Sequence, residues 1–479
     1  MLEGKRERII DTGKNLKDDR YVCPNCGATE IKFNQKYGKL YCNFCDSTFE
    51  GKKLDEIEYN LFNLNETIIG SGAKNINKNM KDIITLKCGG CGAEVVIDTK
   101  NQTHARCHWC RGILSINTRI ENGTVPDALL PFKIKKEDAI KEIEKFVKKR
   151  KFYALPIFKK EFKPENVMGV YFPYMIVDVK AHCNFEGEGE HLTRRYTVDK
   201  KTRYDAEAYK IEREFDIIID NLTIETNKKR LNKLNENQTN NIINSIMPFD
   251  IENAIKFESN YLTGFTSEKR NTDIPDLENR VSKQINDITR HSLNDELKYY
   301  DRGVRWEKEN IQIIGTQWIT AYLPVWLYSY HEKKKKNSKI HYVAVNARTK
   351  ETMGSVPINK PLLSIISLII IIISIIFLLN IIDYTSDFSF YNLLFLLPGP
   401  VYYKVMEAKY RNKKARHKYE KETLNTMVNI KKDERLIEKR RGLRYNKIMG
   451  VNNTRIDGDT ITTSTNIVER TSDMIIKKM

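Results

Sequence analysis

The longest apolar run in the chain, Leu362 to Ile382, is twenty-one residues without a charge, interrupted only by Ser364, Ser367, Ser374 and Asn380. At ~1.5 Å per residue, a helix of that length spans roughly 30 Å, the thickness of a bilayer core. A helix on the surface of a water-soluble domain would show a charged stripe. This run has none, so the pattern predicts a transmembrane helix. A second uncharged run, Phe388 to Tyr403, follows Asp383-Tyr384-Thr385-Ser386-Asp387. It holds Pro398, Gly399 and Pro400, which predict a short, kinked helix. Tyr402, Tyr403 and Lys404 supply an interfacial rim. A re-entrant or interfacial segment is the alternative.

Upstream the periods change. Ala139, Ile140, Ile143, Phe146 and Val147 recur at helical spacing across Lys136–Arg150. A mixed-charge stretch, Ile274 to Leu297, reads as another helix. Gly169 to Val177 and Ala321 to Tyr328 are strand-like, aromatic-rich runs, each broken by one proline. They are either a degenerate internal duplication or two unrelated β-edges. Tyr342 to Val345 and Glu351 to Val356 predict a hairpin leading into the first apolar run. Nearer the start, short strand-like pieces (Ile31-Lys32-Phe33, Leu40-Tyr41, Thr48-Phe49, Val95-Val96-Ile97 and Ile113 to Ile116) flank cysteines.

Those cysteines carry the strongest chemical signal. Eight of nine fall into two identical frames: Cys23-x-x-Cys26 and Cys42-x-x-Cys45, then Cys88-x-x-Cys91 and Cys107-x-x-Cys110, with fifteen residues inside each frame. Two tight turns offering two thiolates each are what a tetrahedral structural zinc site needs. The expectation is two zinc ribbons and two Zn2+ ions. Gly27 and Gly92 follow their cysteine pairs, as a tight turn favours, but Asp46 and Arg111 fill the matching places, so the pattern is partial. His104 and His108 offer alternative ligands, although four cysteines already complete a tetrahedron. Cys183 has no partner and reads as a small buried residue. Disulfides would need an oxidising compartment, and residues 1–20 hold no secretory apolar stretch.

The expected fold class is a multidomain α+β membrane protein. A flexible lead-in (1–20) precedes zinc ribbon one (21–50), a polar linker (51–82) with the flexible tract Gly70 to Asn75, and zinc ribbon two (83–120). A soluble α+β domain (130–358) leads to a transmembrane helical hairpin (362–403), a basic juxtamembrane helical segment (404–447) and a disordered tail (448–479).

Charge orients the hairpin. The loop between its runs has two aspartates and no Lys or Arg, whereas 404–447 carries sixteen Lys/Arg against six Asp/Glu, more than half of the chain's net +18. Basic flanks face the cytoplasm, so both termini are expected there, with the chain in the cell membrane. The basic stretch would meet anionic lipid.

Several motifs resemble a Gram-positive bacterial family of membrane-anchored proteins with a zinc ribbon of the transcription-factor-IIB type. They are the second cysteine frame, Leu130 to Ile134, Gly169 to Tyr174, Pro248-Phe249-Asp250, Tyr261 to Phe265 with Glu268, Tyr322 to Trp326, and Asn346 to Thr349 ahead of Gly354. The resemblance implies envelope-associated scaffolds, some linked to membrane stress. Transcription-factor and helicase names within that family rest on ribbon similarity.

Other activities find little support. No G-x-x-x-x-G-K-[ST] phosphate loop is present, and Gly70 to Lys74 lacks its spacing. His182, Cys183, Glu186, Glu188, Glu190 and His191 are the one cluster of catalytic residue types, and Gly187 and Gly189 suggest a solvated loop. No enzyme is expected. Nucleic-acid binding should leave a basic footprint on the ribbons, yet ribbon one balances to zero and the cysteine-bearing part of ribbon two, residues 86–116, reaches only +2. Phe44 and Trp109, at the turn tips, could stack on bases or pack on protein. The expected function is a membrane-anchored adaptor docking proteins through its ribbons, with a membrane-tethered nucleic-acid factor as the alternative.

Overall fold

The computed structural model describes residues 7–10, 22–28, 30–34, 39–51, 61–74, 83–98, 105–120, 126–198, 201–227, 246–247, 249–294, 297–332, 339–385, 394–411, 441–450, 454–457 and 460–466. In chain order, β1 (Glu7–Ile10) precedes a small antiparallel sheet of β2 (Ile31–Asn34), β3 (Lys39–Cys42) and β4 (Thr48–Phe49). Next come β5 (Thr67–Gly70), α1 (Ser71–Lys74), β6 (Ile83–Lys87), β7 (Glu94–Asp98), β8 (Arg119–Ile120) and β9 (Ala128–Leu129). Helices α2 (Lys136–Lys148) and α3 (Pro156–Glu161) lead to the long strands β10 (Met168–Val198) and β11 (Lys201–Glu225). Then follow β12 (Ile255–Lys256), β13 (Thr266–Glu268), α4 (Ile274–Leu293), β14 (Gly303–Glu332), β15 (Lys339–Asn346) and β16 (Thr352–Gly354). The apolar helix α5 (Lys360–Thr385) and α6 (Pro398–Arg411) precede β17 (Arg441–Gly450), β18 (Thr454–Asp457) and β19 (Thr460–Asn466). The chain is thus mixed α+β.

The large sheet runs β1-β5-β14-β10-β13-β7-β6-β8, with β11 on β10 and β15 on β14. Alternation explains the long strands. On β10, Met175, Val177, Val179, Ala181, Cys183 and Phe185 are buried, while Lys180 and His182 are partly open and Asn184 is exposed. Into that apolar face α4 places Leu277, Val281, Ile285, Ile288 and Leu293 at helical spacing. The Gly187–Gly189 stretch, expected to be a loop, continues as strand because β11 and β14 both pair with it.

The two proline-broken runs are antiparallel neighbours: Tyr171 faces Pro324 and Pro173 faces Tyr322. Proline lacks an N–H and is normally excluded from central strands. Here each sits where its strand changes partner on the other side. β10 pairs in parallel with β13 at Val170–Tyr171 and antiparallel with β11 from Tyr174 onward. β14 pairs in parallel with β9 at Ala321–Tyr322 and antiparallel with β15 from Val325 onward. Apart from the short helix α3, which the second set lacks, the element order also repeats: short strand, helix, long strand, return strand (β9, α2, β10, β11, then β13, α4, β14, β15). Of the two sequence alternatives, the internal duplication is the one this register supports, each half lending its short strand to the other's long one.

Several expectations change. Within the lead-in, β1 pairs in parallel with β5. The polar linker contains buried β5, which is β-branched and apolar, and α1 follows it. Gly70 to Lys74 is therefore not a free tract: the buried Asp127 carboxylate accepts from the Gly72 N–H at 2.6 Å and from Thr320 N at 2.9 Å. Residues 52–60 and 75–82 lie outside the described residues. Pro398 and Pro400 do not kink a helix; they occupy the first turn of α6, where missing N–H groups cost nothing. Residues 441–447, expected to be helical, belong to strand β17, and part of the expected disordered tail is strand as β18 and β19, with β17 and β19 both paired to β11. Residues 412–440, most of the expected basic helical segment, and 467–479 lie outside the described residues.

Among the described residues, one helix, Lys360–Asn380, is long and apolar enough to cross a membrane, by length and composition. Its base is set into the body: Ala154 bridges Ile358, and Leu363 shares a core with Phe33, Leu40, Phe132 and Tyr410. Against its lower half packs α6, where Gly399 meets Ser367 and Ile371; a Cβ there would lie 2.3 Å from Ile371 Cγ1. Phe377 and Phe395 are in ring contact at 6.1 Å. Residues 386–393 lie outside the described residues.

Candidate metal centres

Each cysteine pair sits on the same tight turn. The first cysteine's carbonyl accepts from the residue four places on: Gly27 to Cys23 at 2.9 Å, Asp46 to Cys42 at 3.0 Å, Gly92 to Cys88 at 2.8 Å and Arg111 to Cys107 at 2.7 Å. All four donors are left-handed, with φ of 74°, 58°, 71° and 61°. The partial glycine pattern of the sequence is therefore a complete structural one. Asp46 and Arg111 hold a conformation costing roughly 1–2 kcal/mol for a residue with a Cβ, and both use their side chains. Tyr41 hydroxyl donates to Asp46, and the Arg111 guanidinium lies over the Tyr328 ring at 4.5 Å and donates to the Ser329 carbonyl.

These turns bring the predicted ligands together. Cys23, Cys26, Cys42 and Cys45 form one group and Cys88, Cys91, Cys107 and Cys110 the other, the sulfurs of each within 4.8 Å of one another. Cross-turn contacts are 3.6 Å for Cys23–Cys45 and Cys26–Cys42, 3.4 Å for Cys88–Cys110 and 3.6 Å for Cys91–Cys107. A tetrahedron with Zn–S bonds of ~2.3 Å has sulfurs about 3.8 Å apart, so both groups fit one Zn2+ each. Four packed thiols cannot all ionise without a cation. Accordingly Cys45 is held down to about 6 by the Ser47 hydroxyl 3.0 Å away, and Cys91 to about 5 by the hydrogen bond from Cys107, whose own thiol is pushed far up. Two ions, one per group, are what this donor set would hold.

The surroundings differ. In the first ribbon Phe33 packs on Tyr261 and Phe265 at 5.1 and 5.9 Å, and Gly51 N–H donates to Tyr261 hydroxyl. Its last turn points outward, with Phe44 82% exposed. In the second ribbon β7 pairs with β13, placing β6, β7 and β8 in the large sheet. Its last turn points inward. Trp109 is only 8% exposed, in ring contact with Phe172 and Tyr342, and its indole N–H donates to Glu268. His108 is buried beside it, Nε2 3.4 Å from Glu268 and Nδ1 3.2 Å from Thr266 Oγ1, turned away from the sulfurs. Asn227 donates to the other Glu268 oxygen at 3.0 Å. His108 is thus part of this buried network rather than a ligand, and Trp109 is not a free stacking platform. His104 lies outside the described residues.

Glu268 enters the sequence argument only through the resemblance, and in the structure it lies beneath the last turn of the second ribbon. Three other quoted motifs meet as well: Arg348 holds Asp250 with two bonds of 2.8 and 2.6 Å and donates to Pro131 O at 3.2 Å. The His182 cluster is spread along a strand face. His182 lies 2.7 Å from Asp216 and 3.2 Å from Glu214, and Glu186 pairs with Lys308 at 2.9 Å. Cys183 is buried on the opposite face, its thiol pushed up to about 12.

The chain is similar to a protein of Bacillus subtilis (strain 168) whose printed name is "Uncharacterized protein YdjG", at 24% identity over 341 residues, 71% of this chain and 90% of the relative. No family profile matches the chain. No solved structure matches it either.

Proposed function

We propose that this chain is a membrane-anchored zinc-ribbon scaffold that displays protein-docking modules in the cytoplasm, within envelope-stress or other membrane-associated complexes. One observation carries the reading. The base of the apolar helix and the first cysteine ribbon share a single core, with Leu363, Tyr410, Phe33, Leu40 and Cys42 in one cluster. A body built this way holds a metal-stiffened knob at a fixed place relative to its anchor. The ribbons would be of the transcription-factor-IIB type, and the Bacillus relative is in keeping with a Gram-positive family. Both apolar runs would cross the cell membrane, with both termini cytoplasmic and the acidic loop outside. The basic stretch 404–447 would meet anionic lipid.

Of the two ribbons, the first is the docking candidate, because Phe44 stands open at its tip while Trp109 is consumed internally. The same exposed ring supports the second reading, a membrane-tethered nucleic-acid factor, but ribbon one is electrically neutral. A photocrosslinking residue at Phe44 of the full-length protein in native membranes separates them. Capture of a discrete protein, lost in Cys42→Ser, supports the scaffold. Crosslinks to nucleic acid that weaken steeply with salt would replace it by the second reading.

A further inference from the structure

The surface around the exit of α5 has an uncommon composition. From Lys148 to Asn166 the chain carries seven Lys/Arg against two Glu, so this stretch is strongly basic. It lies directly at the root of the apolar helix. Leu155 N–H donates to Pro357 O at 2.9 Å, and Asn359 N–H donates to Tyr153 O at 2.7 Å. It also touches α6: the Tyr153 and Tyr402 hydroxyls are 2.7 Å apart, and Tyr153 N–H donates to Tyr410 hydroxyl at 2.8 Å.

Tyr153 and Phe158 fill the core beneath, which turns their neighbours outward. Phe152 is 66% exposed and Ile157 63% exposed. Lys148, Lys149, Lys151, Lys159, Lys160 and Lys163 are exposed around them. Lys159 Nζ donates to the Phe152 carbonyl at 3.1 Å, tying α3 to the turn that presents the ring. On the anchor itself, Lys360 begins α5. Lys404 lies about 7 Å along α6 from Gly399, on the side toward the body. Charged and tyrosine side chains at one level mark where apolar helix surface gives way to headgroups.

We propose that the Lys148–Asn166 surface lies on the bilayer. Phe152 and Ile157 insert at the headgroup–acyl boundary, and the surrounding lysines bind the phosphates of anionic phospholipids. This rests on the reading of α5 as a membrane anchor. An exposed aromatic and an exposed β-branched residue inside a lysine-rich rim are a poor solvent surface. They suit an interface where apolar insertion and attraction to anionic lipid add together. The occupant is a membrane rather than a protein because the patch is continuous with the helix that enters one.

The test uses full-length protein in vesicles of phosphatidylcholine and phosphatidylglycerol, with lipids brominated high on the acyl chain as tryptophan quenchers. Phe152→Trp is expected to add emission that brominated lipid lowers by about twofold. Ile113→Trp, exposed on the second ribbon, serves as the unquenched reference, and zinc content checks folding of each variant. The added quenching should fall when Lys159→Gln and Lys160→Gln are combined with it, or when phosphatidylglycerol is omitted. Ile373→Trp in mid-helix reports the anchor separately. Quenching at 373 without quenching at 152 overturns this surface alone. Loss at both positions overturns the anchor reading too. Quenching at 152 that persists undiminished in phosphatidylcholine alone overturns the role of anionic lipid.

Discussion

Trp109 and Phe44 occupy matching positions in the two cysteine frames, yet one is buried and the other open. Their ring surroundings set opposite expectations. Trp109→Ala removes an indole packed on Phe172 and Tyr342 and leaves Glu268 short of a donor. It should cost about 3–5 kcal/mol in denaturant unfolding. Phe44→Ala should stay within about 0.5 kcal/mol. Equal costs would show that the two turns are not differently used. Cys183, buried with its thiol pushed up to about 12, should resist maleimide in the native protein and react only on unfolding. The ligand cysteines were legible because a tetrahedral site writes its spacing locally. The burial of Trp109 was not, because its acceptor Glu268 stands far along the chain, on β13. The left-handed turns at Asp46 and Arg111 were hidden for another reason: sequence composition marks glycine, not the conformation glycine eases.

Elements were legible where one period ran long. The expected helix at Lys136–Arg150 forms as α2, and that at Ile274–Leu297 as the slightly shorter α4. The Tyr342 hairpin forms as β15 and β16. The stretch 51–82 misled because Gly, Ser and Lys around residue 70 outweighed the short β-branched run before them. β5 is held by pairing with β1 and β14, and a buried carboxylate ties the α1 turn that follows it to β14. Asp127 accepts from Gly72 N, Thr320 N and Thr320 hydroxyl at 2.6, 2.9 and 2.9 Å. Asp127→Ala should lower stability by about 2 kcal/mol or more, since buried donors are stranded on two elements. It should also speed hydrogen exchange at Gly72 and Thr320 before the rest of β14. A purely global loss, with no local change at those amides, would contradict this linkage.

For the whole molecule, the two metal groups are unequally built into the body, and metal removal should show it. The second ribbon contributes β6, β7 and β8 to the large sheet and its last turn to the core, so Cys107→Ser should lower the unfolding midpoint of the entire body. Cys26→Ser, in the ribbon whose last turn faces solvent, should release its metal with a smaller shift in the midpoint. An order reversed from this would mean that the sheet does not depend on the second ion. One body with two cysteine groups for Zn2+, the first sharing a core with the base of the apolar helix proposed as an anchor, has a direct test. The most direct measurement is the zinc-to-protein ratio of the full-length chain recovered from carbonate-washed membranes. Two Zn2+ per chain are expected in the membrane pellet. Release of the chain by carbonate, or a pellet fraction without zinc, would contradict it.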